Sequence, residues 1–432
     1  MQVTVQPSSI AGSIQANASK SAMQRACAAA LLRKGITIIH NPGISNDDKA
    51  ALDIIQKLGA KVETLEDGSL NITGVGASII PSANAGATIH CGESGLSIRM
   101  FTPIAALSKE AITITGEGSL MTRPMDFFDE ILPQLEVDCQ SNEGKLPLQV
   151  KGPVKPSNIS IDGSLSSQFL TGLLMSYAAA EASDVTITVN NLKSRPYIDL
   201  TLQLLKDFGL KTPTNNNYES FYFNGALPSA SETPIVYTVE GDWSGAAFLL
   251  VAGAVAGSVQ VSAIFNTSRQ ADKKIVDAIL DAGAQVTVTA DAVSVKKAAL
   301  NAFVFDATDC PDLFPPLVAL AANCKGVTRI HGLRRLKHKE SDRGVTLKEE
   351  FDKLGVLVEL NDDIMLVHGT GKIQVQNHRL NSHHDHRIAM ACVVAALNAD
   401  FEVSIRNAEA VDKSYPAFYD HMRALGVSIA EM

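Results

Sequence analysis

The sequence predicts an α/β protein of two domains, built from six repeated β-α-β-α-β-β units, three to a domain, with one helix of each unit buried. Three observations lead there. A helix-stop pattern, an apolar residue, usually Gly, then another apolar residue, recurs as LGA at 58–60, LEV at 135–137, FGL at 208–210, AGA at 282–284, LGV at 354–356 and LGV at 425–427. Its centres at 59, 136, 209, 283, 355 and 426 lie 77, 73, 74, 72 and 71 residues apart, a period that fills the 432-residue chain. Each period also holds an almost wholly apolar helix opened by a polar cluster, and a short alternating run that follows it like a strand.

Taken in order, MQVTVQPSS alternates as a strand ahead of the first unit, and the pattern alone leaves its domain open. The apolar helices are KSAMQRACAAALL from Lys20, SGLSIRMFTPIAAL from Ser94, SSQFLTGLLMSYAAA from Ser166, DWSGAAFLLVAGAVAG from Asp242, DCPDLFPPLVALAANC from Asp309 and DHRIAMACVVAALNA from Asp385. Pro315-Pro316 must shorten or kink the fifth. Strand-like runs follow at 36–38, 111–114, 185–189, 259–261, 327–330 and 401–405. The second helix of each unit is amphipathic, faces solvent and ends at the glycine, which supplies a left-handed cap. Glu136 occupies one such stop and requires a different cap. A polar, turn-rich stretch near Pro228–Thr238 marks the break between the third and fourth units.

Composition narrows the function. A formal net charge of -9 argues against an extensive nucleic-acid surface, so any anion site must be a local concentration of Lys and Arg. Aromatic residues are only 5%, which favours close-packed helices over an aromatic-rich sandwich. The six cysteines form no CxxC pair and read as reduced thiols. No basic segment followed by an apolar run opens the chain, and the most apolar run, 246–256, is too short to span a bilayer. The expectation is a cytoplasmic enzyme with no membrane contact.

The polar clusters open helices, where unpaired N–H groups and the helix dipole favour anions. Lys20-Ser21, Ser94-Gly95, Ser166-Ser167-Gln168, Asp309–Asp312 and Asp385-His386-Arg387 open the apolar helices. Arg123, Arg195, Lys339–Arg343 and Lys413 stand ahead of the amphipathic ones. Ser and Asp are ordinary N-caps, but caps do not require the accompanying Lys and Arg. SLSSQF at 164–169 offers hydroxyls and N–H groups to a phosphate, with Gln168 to orient a bound group. KHKESDR at 337–343 is either a solvated run or, on a helix, a face where Lys339 and Arg343 flank Glu340 while Asp342 holds an Arg from behind. Asp312 is a cap or a proton acceptor for a hydroxyl. HHDHR at 383–387 supplies metal-ligand types, but on a helix His384 and His386 diverge, and a scaffold for Arg387 is preferred. GVGAS at 74–78 and GTGK at 369–372 lack a full phosphate-loop sequence.

In this order these residues resemble the 5-enolpyruvylshikimate-3-phosphate synthase family over essentially the whole chain. The resemblance rests on Asn17–Ser21 with Arg25, Gly92–Arg99, Arg123-Pro124-Met125, Gly163–Phe169, Arg195–Asp199, Pro311-Asp312, KESDR at 339–343, Asp385-His386-Arg387 and Lys413. It implies an inside-out enolpyruvyl transferase-like fold with domains of 1–18 plus 233–432 and of 19–232. A double crossover near 12–20 and 228–242 joins them, and helix starts face an interdomain cleft that closes on substrate. It implies a monomeric shikimate-pathway enzyme that moves the enolpyruvyl group of phosphoenolpyruvate to the 5-hydroxyl of shikimate 3-phosphate. Phosphate is released, and no metal or organic cofactor is required.

Carried onto this chain, Lys20, Asp312 and Glu340 are the catalytic candidates. Lys20, Ser21, Arg25, Ser166, Ser167, Gln168, Ser194, Tyr197, Asp312 and Lys339 surround shikimate 3-phosphate. Lys20, Gly95, Arg123, Gln168, Arg343, Arg387 and Lys413 surround phosphoenolpyruvate.

The chain departs from the family pattern in places. Glu93-Ser94-Gly95-Leu96 stands where well-known bacterial members have Asn-Ala-Gly-Thr, and Arg335 where many have Asn. The family is the target of the herbicide glyphosate; Gly95 leaves room for it whereas Glu93 and Leu96 can reshape the pocket, so the sequence leaves sensitivity undecided. Two rivals remain. The sister enzyme acting on UDP-N-acetylglucosamine carries a mobile-loop Cys, absent from GEGSLMT at 116–122. A non-catalytic binder of phosphorylated metabolites needs the cations without Glu340 and Asp312 together.

Overall fold

The computed structural model describes residues 1–81, 88–226, 233–337 and 339–432, so part of the expected break at 228–238 and His338 of the KHKESDR run lie outside the described residues. Twelve α-helices appear among them: α1 (Lys20–Leu32), α2 (Asn46–Lys57), α3 (Gly95–Ala105), α4 (Phe127–Ile131), α5 (Ser167–Ala179), α6 (Arg195–Asp207), α7 (Trp243–Ala256), α8 (Ile275–Asp281), α9 (Phe314–Ala322), α10 (Arg343–Lys353), α11 (His386–Ala396) and α12 (Phe418–Ala424). Odd-numbered helices are the apolar ones, and every residue of α3, α7, α9 and α11 is buried. Even-numbered helices bury one stripe: α10 buries Leu347 and Phe351 while its charged face meets solvent.

The helices end as the repeat requires. Gly59, Gly209, Gly283, Gly355 and Gly426 all have positive φ, and Glu136, at the second stop, adopts the left-handed conformation itself (φ 58°). Its carboxylate then pairs with Lys155 at 2.5 Å. Pro315 and Pro316 sit in the first turn of α9, where missing N–H groups cost nothing, so they fall at the start of a short helix rather than in its interior.

Six four-stranded sheets follow one rule. The strand before the buried helix pairs parallel with the strand after it, and the last strand of the unit pairs antiparallel between that strand and the third. The third unit shows it plainly, with strands in the order Ile159–Asp162, Val185–Asn190, Ser220–Phe223, Thr214–Asn216. Three strands are borrowed from afar. Gln2–Val5 enters the sixth sheet between Val403–Arg406 and Ile429–Glu431, Ile10–Gln15 opens the fourth, and Ile235–Thr238 opens the first beside Lys34–His40. The partner that alternation alone left open for the first strand is therefore the last unit. The chain divides into two compact units, Met1–Ser19 with Glu240–Met432, and Lys20–Val239.

Burying helices against sheets demands close approach at one recurring point. A Cβ on Gly74 would lie 2.0 Å from the Ala30 carbonyl oxygen and 2.2 Å from that of Arg33; one on Gly369 would lie 2.2 Å from Ala321 O and 2.3 Å from Cys324 O. In both units a buried helix, α1 or α9, ends with its last carbonyls pressed on a glycine of the fourth strand. Among the described residues no helix is long and apolar enough to cross a membrane.

The contact predicts a contrast measurable by denaturant unfolding. Gly369→Ala forces backbone apart and is expected to cost about 3 kcal/mol. Gly68→Ala, at φ +80° with open space around it, is expected to cost only about 1 kcal/mol, from its backbone conformation alone. Equal losses at the two sites would refute the close-approach argument.

Candidate active site

The unit holding residues 240–432 gathers five of the expected residues directly. Asp312 sits in the 3-10 turn Pro311–Leu313 that leads into α9. Its Oδ1 accepts from Lys339 Nζ at 3.1 Å and Arg343 Nη1 at 2.8 Å, and its Oδ2 from Arg387 Nη2 at 3.2 Å. Arg343, 1% exposed, also donates to Glu340 at 2.5 Å and to both oxygens of Asp385, at 2.8 and 3.2 Å. Lys413 donates to the His384 carbonyl at 2.6 Å, one residue from Asp385.

Local structure explains the placement and corrects two expectations. Helix α10 begins at Arg343, so Lys339 and Glu340 lie in the segment before it and do not share a helix face with Arg343. Asp342 does not hold an arginine from behind: it caps α10 by accepting from the Val345 N–H at 3.4 Å. The carboxylate behind Arg343 is Asp385, which also accepts from Ser341 Oγ and from the Arg387 N–H as N-cap of α11. His384 precedes α11 with φ 57°, so His384 and His386 do not lie together on a helix.

Electrostatics sharpen the roles. Burial works to raise the Asp312 carboxyl, but Arg387, Lys339 and Arg343 outweigh it and hold it well below the usual carboxylate range. Burial lowers Lys339, partly offset by Asp312. Arg343 and Arg387 also lose solvation, yet their carboxylate neighbours raise both above the ordinary value. Arg335, the departure noted above, is mostly buried and lowered by that burial, with Asp309 and Asp312 opposing.

The unit holding residues 20–239 carries the other expected residues in two neighbouring groups. In the first, Arg25 is 1% exposed, with Nε on Thr201 Oγ1 at 3.0 Å, Nη1 on the Ser21 carbonyl at 2.9 Å and its guanidinium 5.9 Å from the Tyr197 ring centre. Burial lowers it to about 10. Thr201 donates to the Tyr197 carbonyl, one turn back on α6, and Ser194 is the left-handed N-cap of that helix.

In the second group, Arg99 Nη1 donates to Gln168 Oε1 at 2.9 Å, and Ser166 caps α5 by accepting from the Gln168 N–H, with Ser167 buried at the first helical position. Gly95 opens α3 beneath Arg123, whose Nη1 lies 2.5 Å from where a Cβ would be. Lys20, at the start of α1, pairs with Asp47 at 2.9 Å.

Sequence reading missed Asp385, Asp47, Arg99 and Thr201 as partners of these groups. Asp385 was visible only as part of a helix start; Thr201 carried no signal, because nothing local marks a threonine that supports a distant guanidinium. Another donor set, Glu349, Glu350 and His383, has ligand atoms within 4.8 Å of one another. Glu350 is already satisfied by Lys353 at 2.8 and 2.9 Å, the Asn381 N–H at 2.9 Å and His383 at 2.7 Å, so a metal is not needed to hold it.

Comparison with known proteins agrees with this architecture. A 3-phosphoshikimate 1-carboxyvinyltransferase of Clostridium novyi is 34% identical over 438 residues, covering 99% of this chain and 98% of its own, and that of Clostridium acetobutylicum is 35% identical over 431 residues, with the same coverage. A solved EPSP synthase of Acinetobacter baumannii superposes with a TM-score of 0.81 at 23% identity over 100% of both chains. The enolpyruvyl transferase NikO of Streptomyces tendae does so with 0.75 at 16%, covering 99% of this chain and 98% of its own. These last two show the fold, a two-domain enolpyruvyl-transferase architecture of repeated units. The family model for EPSP synthase (3-phosphoshikimate 1-carboxyvinyltransferase) matches residues 5–422, and the chain belongs to that family.

Proposed function

We propose that the residues named above divide the work of the family's reaction, in which the enolpyruvyl group of phosphoenolpyruvate passes to the 5-hydroxyl of shikimate 3-phosphate. The observation that carries the reading is the convergence of Lys339, Arg343 and Arg387 on Asp312. Cations already aimed at one point by fixed carboxylates can receive oxyanions with little reorganisation. Arg123, Arg343, Arg387 and Lys413, with Lys20, Gln168 and the Gly95 backbone, take phosphoenolpyruvate. Ser166, Ser167, Ser21, Arg25, Ser194, Tyr197, Gln168, Lys20 and Lys339 take shikimate 3-phosphate, with Asp312 at its hydroxyls. The domain assignment, with crossovers near 12–20 and 228–242, belongs to the same proposal with its second boundary moved from 233 to 240, because Ile235–Thr238 pairs with Lys34–His40 and so goes with the 20–239 unit rather than with the 240–432 unit. So do a monomeric state and a cytoplasmic location.

The chemistry sets the roles. The vinyl carbon of phosphoenolpyruvate is a poor electrophile until its methylene is protonated. An acid, Glu340 or Lys20, gives that proton, and the 5-hydroxyl attacks the resulting oxocarbenium-like carbon while its own proton passes to Asp312. The product is a tetrahedral ketal phosphate. Loss of phosphate, with one methyl proton returned to the base and the hydroxyl proton passing from Asp312 to the departing phosphate, restores the double bond, so protons balance. Arginine and lysine charge stabilises the leaving phosphate. Each oxyanion that draws a cation away from Asp312 relieves the charge that keeps its proton affinity low, so Asp312 becomes a stronger base as the substrates arrive.

Three measurements test this. Purified protein given shikimate 3-phosphate and phosphoenolpyruvate is expected to release phosphate only with both present, and none with UDP-N-acetylglucosamine; binding without release would favour the metabolite-binding reading. Arg387→Ala is expected to lose about 2–5 kcal/mol of transition-state stabilisation in kcat/KM. The acid limb of activity reports protonation of a carboxylate that must be ionised. It is expected at higher pH in kcat than in kcat/KM for shikimate 3-phosphate, because the free enzyme holds Asp312 low. Coincident limbs would remove Asp312 from the proposed role.

A further inference from the structure

We propose that Glu93 is a positioning residue for Arg123, acting through the turn Gly118–Thr122 rather than on substrate. That turn runs directly into Arg123, which is its C-cap. At its start, Glu117 makes no side-chain cap bond, and the turn is held by the buried Leu120 and by the Glu117 N–H on the Gly92 carbonyl at 2.9 Å, with Glu117, Gly118, Met121 and Thr122 exposed. The first N–H groups of such a turn need an acceptor from elsewhere. Glu93 supplies one: its Oε2 accepts from the Ser119 N–H at 3.2 Å.

Ser119 relays the constraint. Its Oγ accepts from Arg123 Nη2 at 3.1 Å. The carboxylate lies flat on the turn, since a Cβ on Gly118 would come within 2.2 Å of Glu93 Oε2. Two residues beyond Glu93, the other end of the same guanidinium lies over Gly95, with Nη1 2.5 Å from where a Cβ would be. The segment carrying both contacts is anchored from behind, because Ser94 Oγ and Ser97 Oγ each donate to Gln24 Oε1 at 3.0 Å, on the buried helix that begins with Lys20. Glu93 and Ser119 thus hold one end of the Arg123 guanidinium while its other end lies where only a glycine leaves room. A carboxylate beside an anion-binding arginine is thereby put to use, with one oxygen committed to a backbone N–H.

The inference rests on the reading of Arg123 as a phosphoenolpyruvate ligand, and the test separates the two. Steady-state kinetics with each substrate varied would be measured for Glu93→Ala, Glu93→Gln, Ser119→Ala, the Glu93→Ala/Ser119→Ala double variant and Arg123→Ala. Glu93→Ala is expected to raise the KM for phosphoenolpyruvate about tenfold, leaving kcat and the KM for shikimate 3-phosphate within about twofold. Glu93→Gln, which keeps an acceptor oxygen, is expected to return within about threefold of the parent. Ser119→Ala leaves Glu93 in place, is expected to match Glu93→Ala, and carries the test if that variant does not fold. The double variant is expected to be no worse than either single one, since both break one relay. An unchanged KM in Glu93→Ala, a lowered one (which would mean the carboxylate repels substrate), or additive losses would overturn the proposal. If Arg123→Ala itself leaves that KM unchanged, the ligand reading fails and the proposal with it; if only Arg123→Ala raises it, the positioning inference alone falls.

Discussion

A guanidinium sealed from water and surrounded by carboxylates sets the terms for the rest of the 240–432 unit. Arg343 is 1% exposed, Asp385 is 0% exposed, and they share two hydrogen bonds. Burying both charges is expensive, and only mutual pairing with further donors offsets it. Asp385 therefore also takes Ser341 and the Arg387 N–H in the first turn of α11, which locks α10 and α11 together at their starts. Because Asp385 saturates the inner edge of Arg343, the outer edge is left to Glu340 and Asp312. The pair adds little net stability by itself; its effect is to fix where the remaining charges stand.

In the unit of residues 20–239, Arg25 is as buried as Arg343 but is held by the Thr201 hydroxyl and the Ser21 backbone carbonyl in place of carboxylates. Neutral partners compensate less of the lost solvation, so its proton affinity falls while that of Arg343 rises. A group held by neutral acceptors gains more from an arriving anion than one already surrounded by carboxylates. Positive charge in a protein of net charge -9 is thus concentrated by local structure rather than by composition.

These placements depend on helices lying inside the molecule. An interior helix brings its N-terminal N–H groups and first-turn side chains to a fixed place, at the cost of terminal carbonyls that must press against something. The glycines at 74 and 369 accept that pressure, and the residues that open α1, α3, α5, α9 and α11 include much of the expected site. Fold and chemistry are coupled through the ends of the buried helices.

Sequence by itself determined the sixfold repeat, the buried and amphipathic members of each helix pair, and the helix starts where the charged residues cluster. Those properties are local: apolar periodicity, N-caps and left-handed stops act within a few residues, so they survive reading in one dimension. Even an exception such as Glu136 was legible, since a stop without glycine must find another left-handed residue. Which acid serves which arginine was decided only by tertiary structure. Proximity in sequence pointed to Asp342 behind Arg343, yet Asp342 is used by the nearest N–H and Asp385 arrives from 42 residues away. Likewise the first strand had no readable partner until the last unit supplied one. Ion pairs and strand pairings of this kind depend on distances through space, and helical periodicity carries no information about them.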